Sequence, residues 1–136
     1  MEINTLVLRI FAGYFWVQVT SMLYIQRFVF NPLQENTYVL YDDSGACAIV
    51  DPGCYETYEK EELDSFITEN KLQVTTLLNT HGHVDHVLGN AFVKRKYGVP
   101  LAIHKIEEDV LRAVKVYAPH YGFYQYEAAE PDKYLI

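Results

Sequence analysis

The chain has 136 residues, half of them hydrophobic and 21% charged, with a formal net charge of -7. That length suits one domain with a sizeable core, and the composition excludes a disordered chain. The acidic balance lacks the basic footprint of a nucleic-acid binder, so no nucleic-acid partner is expected.

The first 21 residues carry the apolar runs Leu6-Val7-Leu8 and Phe11-Ala12-Gly13-Tyr14-Phe15-Trp16-Val17. A signal peptide does not fit, because Glu2 is the only charge before the apolar stretch, Arg9 interrupts it and no small-x-small cleavage site follows. Arg9 and Gln18 leave nothing near the roughly 20 apolar residues of a membrane span, so no membrane association is expected. Residues 1–21 therefore read as an extension in front of a domain over residues 22–136, for which Met22 is the more natural beginning.

From Met22 the pattern is regular. Residues 23–30 read as a strand stopped by Asn31-Pro32, and residues 37–41 and 46–50 as two more. Asp42-Asp43-Ser44-Gly45 between the latter two is a hairpin turn, and Asp51-Pro52-Gly53 ends the third strand. Cys47 and Cys54 are the only cysteines and form no Cys-x-x-Cys pair, so a reducing, cytoplasmic location is expected. Over 56–70 the period changes: Leu63, Phe66 and Ile67 share one face at helical spacing among Glu and Lys residues. Residues 74–78 are apolar enough for a central strand. A helix is predicted over about 87–97, where Lys94-Arg95-Lys96 before Gly98 suits the negative end of a helix. A strand over 99–103 and a helix over about 106–116 follow, then an aromatic, irregular stretch broken by Pro119 and Pro131. With no repeats or linkers, one domain is the economical count.

Between the fourth strand and the following helix lies Thr80-His81-Gly82-His83-Val84-Asp85-His86. His81, His83, Asp85 and His86 place four potential metal ligands in one turn, of the imidazole and carboxylate types that zinc, iron and manganese accept. Three histidines so close would repel if protonated, and a bound cation is the natural reason for them. Gly82 is expected to allow a tight turn and to keep a side chain away from the ions.

Thr-His-x-His-x-Asp-His after an apolar strand resembles the first metal motif of the metallo-β-lactamase fold, and the chain is most similar to small glyoxalase II-like thioesterases. Asn36-Thr37-Tyr38-Val39-Leu40, Ile49-Val50-Asp51-Pro52-Gly53 and Gly98-Val99-Pro100-Leu101-Ala102-Ile103-His104 extend the resemblance from about Met22 to about His104. It implies an α/β (α+β) fold: the N-terminal half of an αββα sandwich, a mixed sheet with helices on one face. It implies a dinuclear zinc hydrolase of thioester or ester substrates, with iron or manganese as other metals. His81 and His83 would bind one ion, and Asp85 and His86 the other. Asp85 would also receive or orient the proton of the attacking water, and Asp51 would shape the floor of the site.

The family takes three further ligands from its second half, and this chain shows no counterpart of them. His104 is expected at the core or rim, and His120, in Ala118-Pro119-His120-Tyr121-Gly122, lacks the family's context. Each ion would keep two protein ligands, where a catalytic zinc usually has three, and one sheet face would lack its covering layer. Two other readings therefore stand beside the hydrolase: a non-catalytic half-domain that needs a homodimer partner or a complementing C-terminal half, and an oxidoreductase of the mononuclear-iron, persulfide-oxidising branch. The aromatic tail (Tyr117, Tyr121, Phe123, Tyr124, Tyr126, Tyr134) either lines an acyl pocket or packs under the absent half.

Overall fold

The structure, a computed structural model, describes residues 21–136, so the extension predicted over 1–21 lies, but for Ser21, outside the described residues. Six strands form one mixed sheet in chain order: β1 (Leu23–Phe30), β2 (Glu35–Asp42), β3 (Ala46–Val50), β4 (Gln73–Asn79), β5 (Leu101–His104) and β6 (Lys133–Leu135). The first two pairings are antiparallel and the other three parallel. The helices are α1 (Thr57–Glu69), the single turn α2 (Val84–Val87), α3 (Asn90–Tyr97) and α4 (Glu108–Tyr117), with short 3-10 turns at Lys105–Glu107 and Ala118–Tyr121.

Alternation along the strands sorts the two faces. Phe28, Phe30, Val39, Ile49, Leu77, Leu101 and Ile103 point into a core completed by Leu63 and Ile67 of α1 and Val93 of α3. This is the helix-covered face the sequence implies. On the opposite face the register sets Ile25, Leu40, Ala48 and Thr76 side by side, and next to them Tyr38, Val50, Leu78 and Ala102. Ile25 there is 48% exposed and Val29 53%, while Tyr38, Leu40, Val50 and Leu78 are half-buried.

Two elements differ from the sequence expectation. The helix predicted over 87–97 is divided: α2 stops at Val87 and α3 starts at Asn90. Gly89 lies at the break, where its N–H donates to Pro52 O at 2.7 Å. A Cβ there would come within 2.5 Å of Cys54 Sγ and 2.8 Å of Pro52 O, so only glycine lets the two chains approach. In the stretch expected to be irregular, β6 adds a short parallel strand. Asp132 anchors it, accepting from Leu101 N–H through its carboxylate and donating its own N–H to Leu101 O, both at 2.8 Å. Among the described residues no helix is long and apolar enough to cross a membrane.

Four connections emerge at one end of the sheet: β1–β2, β3–α1, β4–α2 and β5–α4. Parallel strands β3, β4 and β5 end there, while antiparallel β2 begins there with Glu35. Everything chemical in the sequence motif gathers at this end.

Candidate metal centre

Asp51 follows β3 with φ +50, a left-handed conformation that costs energy in a residue with a Cβ. Its N–H donates to Leu78 O at 2.9 Å, which fixes the carboxylate beneath the end of β4. There Oδ1 accepts from Thr80 N–H at 2.7 Å and Oδ2 from the Thr80 hydroxyl at 2.5 Å. The Thr80 hydroxyl in turn lies 2.9 Å from His81 Nδ1. Asp51 thus holds the start of the histidine turn, the supporting role the resemblance implies for it.

The turn is held from a second side. Gly82 N–H donates to Glu107 Oε2 at 3.1 Å. A Cβ on Gly82 would lie 2.6 Å from Leu111 N and 3.1 Å from Glu107 O. The glycine is therefore required by close packing against α4, which corrects the expectation that it keeps space clear for ions. His83 then caps α2 in an extended conformation, and the helical turn brings Asp85 and His86 back toward His81.

The result is a compact group. The His81 ring lies 4.1 Å from the His86 ring and 4.7 Å from the His83 ring, centre to centre. Asp85 Oδ2 is 3.4 Å from His86 Nε2. One donor atom each from Asp51, His81 and His86 falls within 4.8 Å of the others. His83 and Asp85 border a cavity of about 500 Å³ that Leu33, Val84, Tyr117 and Tyr121 complete. Of the aromatic tail, Tyr117 and Tyr121 line this cavity, Phe123 is buried, and Tyr124 and Tyr134 are exposed. His104 caps the turn after β5 by accepting from Ile106 N–H at 3.2 Å, and His120 is exposed on the Ala118–Tyr121 turn.

Glu35, which the sequence reading passed over, lies behind this group. It is 3% exposed; Oε2 accepts from the Thr37 hydroxyl at 2.8 Å, and Oε1 has no hydrogen-bond partner among the described residues. Oε1 faces His86 Nδ1 at 3.6 Å, and that nitrogen, 3.2 Å from Asp51 Oδ2, also lacks an aligned partner. Burial pushes the Glu35 carboxyl up to about 8, against the lowering effects of Thr37 and His86. The Asp51 carboxylate raises His86 above the ordinary histidine value, while burial and the neighbouring His86 and His83 lower His81. Asn31 braces the same region, its buried amide donating to Gly53 O and Asp85 O at 3.0 Å each. No signal in the sequence marks Glu35 or Asn31, since a polar residue in a turn or at a strand start is ordinarily a surface residue.

These donors suit a divalent transition metal. Imidazoles face one another, carboxylates lie beside them, and orphaned polar atoms remain on buried Glu35 and on His86. Among the described residues no lysine or arginine forms an ion pair with Glu35, Asp51 or Asp85; only His86 does. Such a cluster is short of positive charge, which a bound cation would supply.

The profile of the metallo-β-lactamase superfamily matches residues 30–124. The hydroxyacylglutathione hydrolase GloC of Haemophilus influenzae is 31% identical over 103 residues, 75% of this chain and 47% of that protein. Among solved structures, the BLEG-1 B3 metallo-β-lactamase superposes with a TM-score of 0.70 at 28% identity, covering 83% of this chain and 53% of that one. TTHA1623 in a di-iron-bound form gives 0.63 at 25% identity, covering 82% and 51%. The chain spans about half the length of each of these proteins.

Proposed function

The chain belongs to the metallo-β-lactamase superfamily, and from that premise we propose that it carries the first ligand set of a glyoxalase II-like, metal-dependent hydrolase of thioesters or esters. The observation that supports this most is the convergence of His81, His83, His86 and Asp85 over Asp51, beside an open cavity. His81 and His83 hold one ion in this reading, and Asp85 and His86 the other. Zinc is the metal we favour; the di-iron form of a structural neighbour makes iron the second choice. A bound ion supplies Lewis acidity, polarising an acyl carbonyl and acidifying water. Asp85, on the cavity wall, takes or orients a proton there in this reading. Leu33, Tyr117 and Tyr121 give the acyl group an apolar wall. The family's remaining ligands lie in its second half, so full activity is proposed for this chain together with a complementing C-terminal half or a second copy. Both cysteines are free and buried, which suits the cytoplasmic location we favour.

Metal analysis and thioester turnover test the reading. The purified chain should bind zinc weakly and turn over a hydroxyacyl thioester slowly, since two ligands per ion preorganise little. Adding the C-terminal half of a relative should raise both, and chelator should abolish the gain. No zinc or iron binding in either state would overturn the proposal.

A further inference from the structure

A buried carboxylate is costly unless something compensates it. Glu35 is buried to 3% exposure at the start of β2, a position where a threonine or valine would pack at no such cost. One oxygen is satisfied by Thr37, while Oε1 lies 3.6 Å from the inner nitrogen of His86 and has no hydrogen-bond partner among the described residues. The Asp51 carboxylate is nearer to that nitrogen, with Oδ2 at 3.2 Å, but both of its oxygens also accept from Thr80. The outer nitrogen, Nε2, faces Asp85 on the cavity side.

We propose that Glu35 is a positioning residue for His86. Its Oε1 accepts the Nδ1 proton, which fixes the imidazole in the tautomer with a bare Nε2 and orients that lone pair toward the ligand cluster. Asp51 and Glu35 then divide the support of the turn: Asp51 holds its start through Thr80, and Glu35 holds its end through His86. Gly53 preserves the arrangement, because a Cβ there would collide with Glu35 Oε2 and approach Asp85 O to 2.6 Å. Carboxylates behind ligand histidines act in this way generally, and removing one typically lowers metal affinity about 10–100-fold.

The inference rests on the reading of His86 as a ligand, and two measurements separate their failures. Long-range proton–nitrogen spectra of the metal-free chain should show neutral His86 with its proton on Nδ1; a proton on Nε2 overturns the inference. Titration with zinc alone should show Glu35→Ala weakened by about 10–100-fold, with the Nδ1 proton no longer fixed. Glu35→Gln, whose amide oxygen still accepts, should keep the tautomer and lose less affinity. Zinc affinity in Glu35→Ala equal to that of the unmodified chain overturns the inference, as does loss of the tautomer in Asp51→Asn but not in Glu35→Ala. If Glu35→Ala does not fold, the tautomer of the unmodified chain and of Glu35→Gln decides. If the unmodified chain binds no zinc, the ligand reading fails, and the tautomer still tests the role of Glu35.

Discussion

Asn31 sits at φ +52, in the left-handed region that asparagine tolerates better than most residues, and both hydrogen bonds from its amide nitrogen go to main-chain carbonyls. Its Oδ1 also accepts from Leu33 N–H at 3.0 Å, closing the β1–β2 turn. Asn31→Ala leaves the carbonyls of Gly53 and Asp85 without that donor, and should lower the free energy of unfolding by roughly 1–3 kcal/mol. Urea midpoints measure this; a change below about 0.5 kcal/mol, the range of an ordinary surface substitution, would show that water replaces the amide. The proposed ligand residues should behave in the opposite way. His83→Ala and Asp85→Ala should lower zinc affinity at least about 10-fold and leave the metal-free melting temperature nearly unchanged, because both side chains border the cavity and not the core. His104→Ala is the control: it should cost up to about 1 kcal/mol as a lost cap and leave zinc affinity alone. If competition with a chelating dye shows His104→Ala losing zinc as fully as His83→Ala, the ligand assignment is wrong.

At the scale of elements, the helices hold the site as much as the strands do. Gly82→Ala forces a methyl group against the α4 backbone, 2.6 Å from Leu111 N, where no flexible side chain can give way. The melting temperature should fall by an amount equivalent to about 1–3 kcal/mol, with zinc affinity reduced in the same variant as the turn shifts. Asp64 of α1 links to α3, accepting from the Tyr97 hydroxyl at 2.8 Å and lying 3.1 Å from the Lys96 ammonium. Burial raises its pKa, but these two partners outweigh burial and hold it below the usual carboxylate value. A depressed folded pKa contributes stability above the unfolded value of roughly 3.9, and that contribution disappears as pH falls through the folded value. Asp64→Asn should therefore cost about 0.5–1 kcal/mol at neutral pH and less in acid, once the carboxyl is protonated in the folded chain; equal costs under both conditions would show that the charge is irrelevant. Much of this layer is legible in the sequence. Strands with alternating or wholly apolar residues, and α1 with Leu63, Phe66 and Ile67 on one face, follow from periodicity alone. The division at Gly89 is not legible, because it arises from the approach of Pro52, which lies 37 positions earlier in the chain. The histidine motif is legible because its four candidate ligands fall within six residues. Glu35 and Asn31 are not, since their role exists only once the β1–β2 turn stands behind the histidines.

For the whole molecule, the sheet offers two unlike faces. One is sealed by helices, while the other carries Ile25 and Val29 about half exposed beside Tyr38, Leu40 and Val50. Apolar surface of this kind promotes association. Concentrated chain should therefore self-associate in sedimentation velocity, and Ile25→Lys with Val29→Lys should reduce it without changing zinc affinity. Unaltered sedimentation in the double variant would show that this face is not the sticky one. The strand order has another consequence. Among the described residues every strand pairs with the strand next to it in sequence. A chain leaving the ribosome can add strands one at a time to a growing edge. Asp51 and Glu35 would be in place before Thr80 and the histidines emerge, and Glu107 would arrive last to fasten Gly82. In such an assembly the floor of the histidine turn is built before the turn itself, and the fastening from α4 comes after it.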